Sequence, residues 1–214
     1  MCPDAEGFRF PQIDSSLCVE CDLCVRVCPV LPENRCSTLN LPQRVYAARN
    51  KDPKMWMHST SGAVFPIFAR AVLAQGGVVY GCAWIGDGLE AAHIRVDHDR
   101  DLHRLLQSKY VQSSTEDTFR AVQSDLYREL TVLYSGTPCQ IAGLKLFLGE
   151  KFAKLLTIDL LCHGVPSPTM FSAYAAGLTH REKGPITDFK FRDKQVSGFR
   201  SYVSYRRSDG SRRY

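Results

Sequence analysis

Residues 131–164 read TVLYSGTPCQIAGLKLFLGEKFAKLLTIDLLCHG and alternate between strand-like and helix-like patterns. The apolar run 131–135 predicts a buried strand, 140–148 predicts a helix, and 155–161 predicts a second, central strand. A polar loop follows each strand: Gly136-Thr137-Pro138-Cys139-Gln140 after the first and Cys162-His163-Gly164 after the second. Because α/β folds build their sites at the carboxyl ends of parallel strands, we expect both loops to contribute to one site.

The same alternation continues on both sides of this stretch. Upstream, residues 63–75 predict a helix with Pro66 in its first turn and Gly76-Gly77 as its stop signal. Strands are expected at 77–84, 93–96, 186–192 and 200–205, and helices at 99–107, 116–130 and 168–177. Strands that alternate with helices predict an α/β (α+β) layered domain over residues 44–214.

Residues 1–43 differ in composition from the rest of the chain, which predicts a separate small module. They hold six of the nine cysteines and five of the eleven prolines, and no helical periodicity in them exceeds one turn. A segment of this kind buries too little apolar surface to fold alone and needs a cross-link or a bound metal group to stabilise it. We therefore expect a separately stabilised module in front of the layered domain.

The motif C-x2-C-x2-C-x3-C-P is formed by Cys18, Cys21, Cys24 and Cys28, followed by Pro29. This spacing is typical of bacterial ferredoxins, in which closely spaced thiolates hold a 4Fe–4S cluster. Soft thiolates also suit zinc, but zinc sites usually present two separated C-x2-C pairs. The run therefore favours the iron–sulfur cluster, and we expect residues 1–43 to form a ferredoxin-like iron–sulfur module in front of the layered domain.

The fourth ligand of this cluster is open. In two-cluster ferredoxins the last cysteine of a run serves the other cluster, and Cys2 would then complete the site. Alternatively, Cys28 closes a single cluster itself. Cys36 lies outside the run and is interpreted as a buried or incidental thiol.

Two further segments contain candidate binding residues. Ser59-Thr60-Ser61-Gly62 precedes a helix and offers backbone N–H groups to an anion, although helix capping is the commoner role of such residues. Lys109 and Tyr110 lie in SKYVQS (108–113) and could cover a surface patch, hold a phosphate or contact an isoalloxazine ring. The histidines His58, His93, His98, His103 and His180 show no ligand spacing, and we interpret them as surface or loop residues.

Charge and hydropathy exclude several classes of protein. The net charge is +5, but residues 181–214 hold ten basic and four acidic residues, against 17 and 18 in the rest of the chain. A local excess of this kind does not indicate a nucleic-acid partner. No apolar run of 18 residues or signal peptide is visible, which predicts a cytoplasmic protein with no membrane span and with reduced, metal-binding cysteines.

In their order along the chain, these segments resemble the coenzyme F420 hydrogenase/dehydrogenase beta-subunit family. GTPCQIAGLKLFLG (136–149) and LCHGVPSP (161–168) are the most specific blocks. The others are Glu6-Gly7-Phe8, PQID (11–14), the cysteine run, STSG (59–62), GGVVYG (76–81), SKYVQS (108–113) and FKFRDK (189–194).

The resemblance implies FAD beside an iron–sulfur cluster. By motif, the FAD site would comprise Ser59, Thr60, Ser61, Gly62, Lys109, Tyr110, Gln112, Gly136, Thr137, Pro138 and Gln140. Cys139 and Cys162 would be ligands of a further cluster. The family carries a downstream C-x-x-C and a second ferredoxin run, and this chain shows neither. The family also has a glycine after STSG, where this chain has Ala63. Both the module and the flavin domain are therefore expected to be incomplete, at the N-terminus and C-terminus respectively.

The resulting hypothesis is an iron–sulfur flavoprotein oxidoreductase that passes electrons between 4Fe–4S clusters and FAD. Its partner would be a redox protein or a deazaflavin-type hydride carrier, because flavins exchange hydrides and clusters exchange single electrons. The alternative is a non-catalytic 4Fe–4S electron-transfer module.

Overall fold

The computed structural model describes residues 1–34, 44–86, 89–149, 152–196 and 202–214. Cys36 and the expected module boundary at residue 43 lie outside these residues. The strands are β1 (Cys2–Pro3), β2 (Arg9–Phe10), β3 (Val78–Ile85), β4 (Glu90–Val96), β5 (Val132–Gly136), β6 (Leu155–Asp159), β7 (Thr187–Asp193), β8 (Tyr202–Arg206) and β9 (Arg212–Arg213). The α-helices are α1 (Leu23–Arg26), α2 (Pro53–Met57), α3 (Phe65–Ala74), α4 (Thr118–Tyr127), α5 (Pro138–Leu148) and α6 (Pro168–Glu182).

The central sheet has the strand order β4-β3-β5-β6. β5 runs parallel to both β3 and β6, whereas β4 pairs antiparallel with β3. The expected parallel pair is therefore present, but the prediction that residues 155–161 form a central strand is wrong. Within the described residues β6 lies at the edge of the sheet, and Leu156 is 47% exposed. A short apolar run cannot distinguish a central strand from an edge strand that packs on one face.

Helices cover both faces of this sheet because successive strand residues point to opposite sides. On one face, Tyr80 and Tyr134 pack against Val122 of α4 and Leu144 of α5. On the other face, Val79 and Leu133 belong to a second cluster with Ala69 and Val72 of α3, and with residues of the 3₁₀ helix Asp99–Leu105. The predicted α/β layers are confirmed, and residues 99–105 form a 3₁₀ helix within the stretch predicted as helical.

A second layer contains the antiparallel sheet β7-β8-β9 and α6. Phe171 and Leu178 of α6, Phe189 of β7 and Tyr205 of β8 form its buried core. Trp84 of β3 stacks on Phe171 with ring centroids 5.3 Å apart, and its Nε1 donates to the Phe189 carbonyl at 2.9 Å. The two sheets are thereby joined through an aromatic cluster.

The first 34 residues have almost no core of their own. Gly7 is the single buried residue in this segment, and α1 contains none. β1 and β2 form a two-stranded antiparallel pair in which Cys2 faces Phe10. The sparse burial agrees with the expectation that this segment needs a bound group to hold it.

None of the helices in the described part of the chain combines the length and the apolar character required to cross a bilayer.

Candidate functional site

A cavity of about 1130 Å³ opens at the carboxyl ends of β5 and β6. Loops from distant parts of the chain line it, together with Gly81 and Cys82 of β3. Eight of the eleven residues predicted to bind FAD are in the lining: Ser59, Thr60, Lys109, Tyr110, Gln112, Gly136, Thr137 and Gln140. The structure thus brings the three predicted cofactor segments to one place.

The other three, Ser61, Gly62 and Pro138, are not in the lining. Pro138 is the first residue of α5, where its missing N–H is tolerated. Gly62 lies against the chain at residue 48, and a Cβ on it would come within 2.2 Å of the Ala48 carbonyl oxygen. Ser61 and Gly62 therefore shape the loop that presents Ser59 and Thr60.

The interpretation of His93 as a surface or loop residue is wrong. It lies on β4, is 6% exposed and stacks on Tyr134 with ring centroids 5.2 Å apart. Burial lowers the pKa of His93 to about 4, so the ring is neutral near pH 7. Lack of ligand spacing says nothing about burial, whereas its place in a strand beside the 77–84 strand was a signal for it. His58, His98, His103 and His180 are exposed as expected.

His93 belongs to a polar network in the cavity wall. Its Nε2 lies 3.0 Å from the Ser135 carbonyl oxygen, which can only accept, and its Nδ1 lies 3.3 Å from Ser113 Oγ. Gln140 Nε2 donates to the same Ser113 Oγ at 2.9 Å, and Gln140 Oε1 accepts from Thr137 N–H at 3.0 Å. The amide of Gln140 therefore fixes the start of α5 and orders the wall.

Lys109 directs its ammonium group into the wall. Its Nζ donates to the carbonyl oxygens of Leu106, Cys82 and Arg104 at 2.7, 3.0 and 3.1 Å. These three acceptors match the three N–H donors of the ammonium. Burial lowers the pKa of Lys109 to about 8, and burial raises the pKa of the neighbouring Cys82 thiol. The side chain therefore supplies positive charge to the wall and fixes the loop that contains it.

Lys194 is a second buried lysine that the sequence reasoning left without a role. It is 2% exposed, and its Nζ donates to the carbonyl oxygens of Ser61 at 2.7 Å and Trp56 at 3.0 Å. Its Nζ also lies 4.4 Å from the centre of the Trp56 ring, a cation–π contact. Lys194 follows the last residue of β7, so it ties the second sheet to the loop that carries Ser59 and Thr60.

The lining also contains buried polar atoms that could accept a hydrogen bond from a ligand or donate one to it. Within the described residues, the buried atoms Ser59 Oγ and Gln107 Oε1 have no hydrogen-bond partner. Gln107 adopts a left-handed φ of 71°, and its Nε2 donates to the His58 carbonyl at 2.8 Å. Buried polar atoms normally find partners, so a polar ligand in the cavity fits this arrangement. Tyr110, 43% exposed, adds an aromatic ring.

Cys139 and Cys162 line the same cavity, and both are exposed. Cys139 is the second residue of α5, and its Sγ lies 3.1 Å from Thr137 Oγ1. Cys162 follows β6, and its Sγ accepts from Gly164 N–H at 3.4 Å. The expectation that the two strand-end loops meet at one site is confirmed.

The cysteine run forms an exposed loop. Cys18, Cys21 and Cys24 are exposed, and Cys28 is half-buried. Left-handed φ angles of 54° at Glu20 and 56° at Asp22 coil the loop, and Glu20 N–H donates to Cys18 Sγ at 3.4 Å. Amide hydrogen bonds to sulfur are typical of iron–sulfur sites, where they tune the potential. The thiolate set and this hydrogen bond fit a 4Fe–4S cluster.

The chain after this loop is also held. Asn34 Nδ2 donates to the Val25 carbonyl at 2.6 Å and to the Cys28 carbonyl at 2.9 Å. No three cysteine, histidine or carboxylate side chains of the described ranges converge at metal-binding distances. The thiols would therefore have to close around a cluster as it binds.

Comparison with protein families gives two matches. Residues 130–205 match the family described as the C-terminal region of the coenzyme F420 hydrogenase/dehydrogenase beta subunit. Residues 11–31 match the 4Fe–4S binding domain. The first match contains both strand-end loops, and the second contains the complete cysteine run. No curated protein matches the chain.

The fold is similar to a chain of the F420-reducing NiFe hydrogenase complex from Methanosarcina barkeri, solved as a xenon derivative. The TM-score is 0.50 at 12% sequence identity, and the similarity covers 78% of the present chain. The match spans 59% of the hydrogenase-complex chain, less than two thirds of its length. At this identity the similarity supports the fold alone.

Proposed function

Since the chain belongs to the coenzyme F420 hydrogenase/dehydrogenase beta-subunit family and carries a ferredoxin-type module, we propose that it is an iron–sulfur flavoprotein oxidoreductase. Its 4Fe–4S module would exchange single electrons with FAD bound in the cavity. A deazaflavin-type or other hydride carrier would exchange electron pairs with the same FAD, in the reducing cytoplasm.

The observation that carries the proposal is the convergence of separate motifs on one cavity. Segments around residues 59–60, 108–113 and 136–140 are remote in sequence and line the same space. Its volume of about 1130 Å³ exceeds the roughly 300–1,000 Å³ of ordinary small-molecule pockets, which suits a dinucleotide. Ser59 Oγ and Gln107 Oε1 are buried atoms of the lining that have no hydrogen-bond partner among the described residues, which supports a ligand with polar edges.

Bound FAD would supply the conversion between two-electron hydride transfer and one-electron transfer to a cluster. The residues of this chain would bind and orient it. Tyr110 offers an aromatic face, and Ser59 and Thr60 offer hydroxyl groups. Lys109 keeps a positive charge in the wall below about pH 8, which favours negative charge on a bound group. His93 stays neutral and holds Ser113 and Ser135 in place.

Cys18, Cys21 and Cys24 are proposed as three thiolate ligands of the cluster, with Cys28 or Cys2 as the fourth. Thiols must lose their protons to bind metal, and metal binding couples to folding. Cluster assembly would therefore also order the exposed loop. Cys139 and Cys162 are proposed as two ligands of a second cluster at the cavity. A complete second site needs further donors, which the described residues do not bring to that point.

A partner is expected on chemical grounds, because electrons that enter through one cofactor must leave through another molecule. We propose a redox protein or a deazaflavin-type carrier. The similar solved chain belongs to a hydrogenase complex, which supports a protein partner.

The test is cofactor analysis of the protein after anaerobic purification and reconstitution. We expect about four iron and four sulfide per cluster together with bound FAD. Iron and sulfide without flavin would contradict the flavoprotein proposal and favour the electron-transfer module. A colourless protein that contains zinc would contradict the cluster assignment.

A matched pair of variants locates the flavin. Tyr110 and Tyr174 are 43% and 50% exposed, and each makes an edge contact with one phenylalanine ring, Phe191 and Phe189 respectively. Only Tyr110 lines the cavity. Tyr110→Ala should therefore weaken FAD binding while Tyr174→Ala leaves it unchanged. Equal FAD retention in the two variants would place the flavin elsewhere.

A further inference from the structure

The side chain of Gln112 binds the N-terminal segment. Its Oε1 accepts from Arg9 N–H at 2.8 Å, and its Nε2 donates to the Arg9 carbonyl at 2.9 Å. The amide side chain thus makes the same two hydrogen bonds to Arg9 of β2 that the backbone of a neighbouring strand would make. The backbone N–H of Gln112 donates to the Pro166 carbonyl at 3.0 Å, so the residue is fixed on the wall side as well.

Three contacts surround this pairing and attach the same turn of chain. Arg9 Nη2 donates to Glu90 Oε1 of β4 at 2.9 Å. Ser167 Oγ, 2% exposed at the start of α6, donates to the Glu6 carbonyl at 2.7 Å. Gly7 has a φ of +82°, and a Cβ on it would come within 2.2 Å of the Thr169 side chain. Only glycine permits this approach.

The other end of the iron–sulfur segment also reaches the wall. A Cβ built on Gly143 of α5 would lie 3.9 Å from Pro29 Cδ, which follows the last cysteine of the run. At the front, Arg9 precedes Cys18 by nine residues, a reach of at most about 30 Å. The cysteine loop is therefore tethered on both sides to elements that line or support the cavity.

We propose that Gln112 is a positioning residue that latches the iron–sulfur module to the cavity wall. Its amide groups are engaged with Arg9, so its role is to hold β2 and through it the cysteine loop. The consequence for electron transfer rests on the proposed function: the latch would keep the cluster close enough to the cavity cofactor for direct electron exchange. The residue that the sequence suggests as a flavin contact would then act between two redox centres.

The experiment uses the full chain with Gln112→Leu and Gln112→Glu, and Gln123→Leu on α4 as the control. Hydrogen exchange of the Arg9 amide, flavin content, iron content and the rate of electron transfer between flavin and cluster are measured. In Gln112→Leu we expect Arg9 exchange to be about tenfold faster, as for the loss of one or two hydrogen bonds. Electron transfer should slow while iron and flavin contents stay at the wild-type level.

Gln112→Glu separates a latch from mere loss of packing. The carboxylate has no donor for the Arg9 carbonyl, but it still accepts from the Arg9 N–H. Protection of the Arg9 amide should therefore be largely retained at pH 7 in Gln112→Glu and lost in Gln112→Leu, a pattern not expected from a loss of packing alone or from Gln123→Leu.

Each outcome supports or overturns the latch. Loss of flavin in Gln112→Leu with normal Arg9 protection would make Gln112 a cofactor ligand and overturn it. Unchanged exchange and unchanged electron transfer would overturn it as well. If the wild-type chain binds no flavin, the proposed function fails, while faster Arg9 exchange in Gln112→Leu still supports the latch.

Discussion

The cavity wall and the cysteine loop both carry reactive side chains on irregular backbone, but they are held in different ways. The wall is fixed by side chains whose polar groups each bind several partners: the ammonium groups of Lys109 and Lys194 and the amide of Gln140. The cysteine loop has exposed thiols, and Gly7 is the single buried residue of the first 34. The wall is held by hydrogen bonds among its own side chains and backbone, whereas the loop has almost no buried residues to hold it.

The largest expected effect is the loss of the cluster. Cys21→Ala should abolish cluster binding and disorder the cysteine loop, because the exposed segment has no core to replace the thiolate. The central sheet should remain folded. Iron content, visible absorbance and hydrogen exchange of residues 11–31 are the measurements.

Two controls accompany this variant. Cys82→Ala alters a thiol of β3 and should leave the iron content unchanged. Cys2→Ala decides the fourth ligand, because an unaffected cluster means that Cys28 closes it. A full cluster in Cys21→Ala would refute the ligand assignment.

The second effect is a pH dependence of the free energy of unfolding, which arises from His93 in the cavity wall. His93 has a pKa of about 4 in the folded chain, against 6.5 as its ordinary value. The unfolded state therefore binds more protons, and this contribution is complete above pH 6.5 and is lost as the pH falls towards 4. The total is about 3 kcal/mol of unfolding free energy, at 1.36 kcal/mol for each pKa unit.

Denaturant unfolding at pH 7 and pH 5 tests this contribution. His93→Gln should show a smaller loss of stability between the two pH values than the wild-type chain, since it has no group to protonate. His58→Gln, at an exposed histidine, is the control and should behave like the wild type. Equal slopes for all three would contradict a buried neutral His93.

The third effect concerns the link between the second sheet and the loop that carries Ser59 and Thr60. Lys194→Met keeps the length of the side chain but leaves the Ser61 and Trp56 carbonyls without their donor. We expect a loss of about 2 kcal/mol in unfolding free energy. The Trp56 fluorescence should also change, because one of the two cations beside its ring is removed while Arg49, 4.2 Å from the ring centre, remains.

Lys183→Met is the control, since Lys183 is an exposed lysine that follows α6. A Lys194→Met protein with wild-type stability and fluorescence would show that the loop is held by other contacts.

The smallest effect is expected at Ala63, which is buried with a left-handed φ of 55°. An L-residue with a Cβ is strained there by about 1–2 kcal/mol, while glycine costs more entropy on folding. Ala63→Gly should therefore raise the melting temperature slightly. Ala69→Gly, in α3 with helical backbone, should lower it; a fall in both variants would mean that the Ala63 methyl group contributes more through packing than it costs in strain.

The order of the longer strands and helices from α3 onward was predictable from the sequence because hydrophobic periodicity and stop signals mark them, whereas the short β1, β2, α1 and α2 were not predicted. The 63–75 pattern and the Thr131–Ser135 run correspond closely to α3 and β5. The edge position of β6 was not predictable, since pairing partners are set by tertiary structure. The convergence of the strand-end loops followed from the parallel arrangement.

Side-chain roles were harder to predict than positions. Lys109 and Gln112 line the cavity, but sequence alone does not show that carbonyl and backbone groups engage their polar atoms. Burial of the single residue Lys194 leaves no periodic signal in the sequence, whereas His93 begins a predicted strand, and that position was the available signal for its burial. Ala63 was noted at a position of family glycine, and its left-handed φ gives a physical reason for that glycine.

The three carbonyl oxygens around Lys109 Nζ have the composition of a small monovalent-cation site. The lysine fills this cage with a cation that the chain itself carries, and it cannot be washed out or exchanged. If the side chain is shortened in Lys109→Ala, the cage becomes available to ions in the buffer. The stability of that variant should then rise with ammonium or potassium concentration, whereas the wild-type chain should not respond.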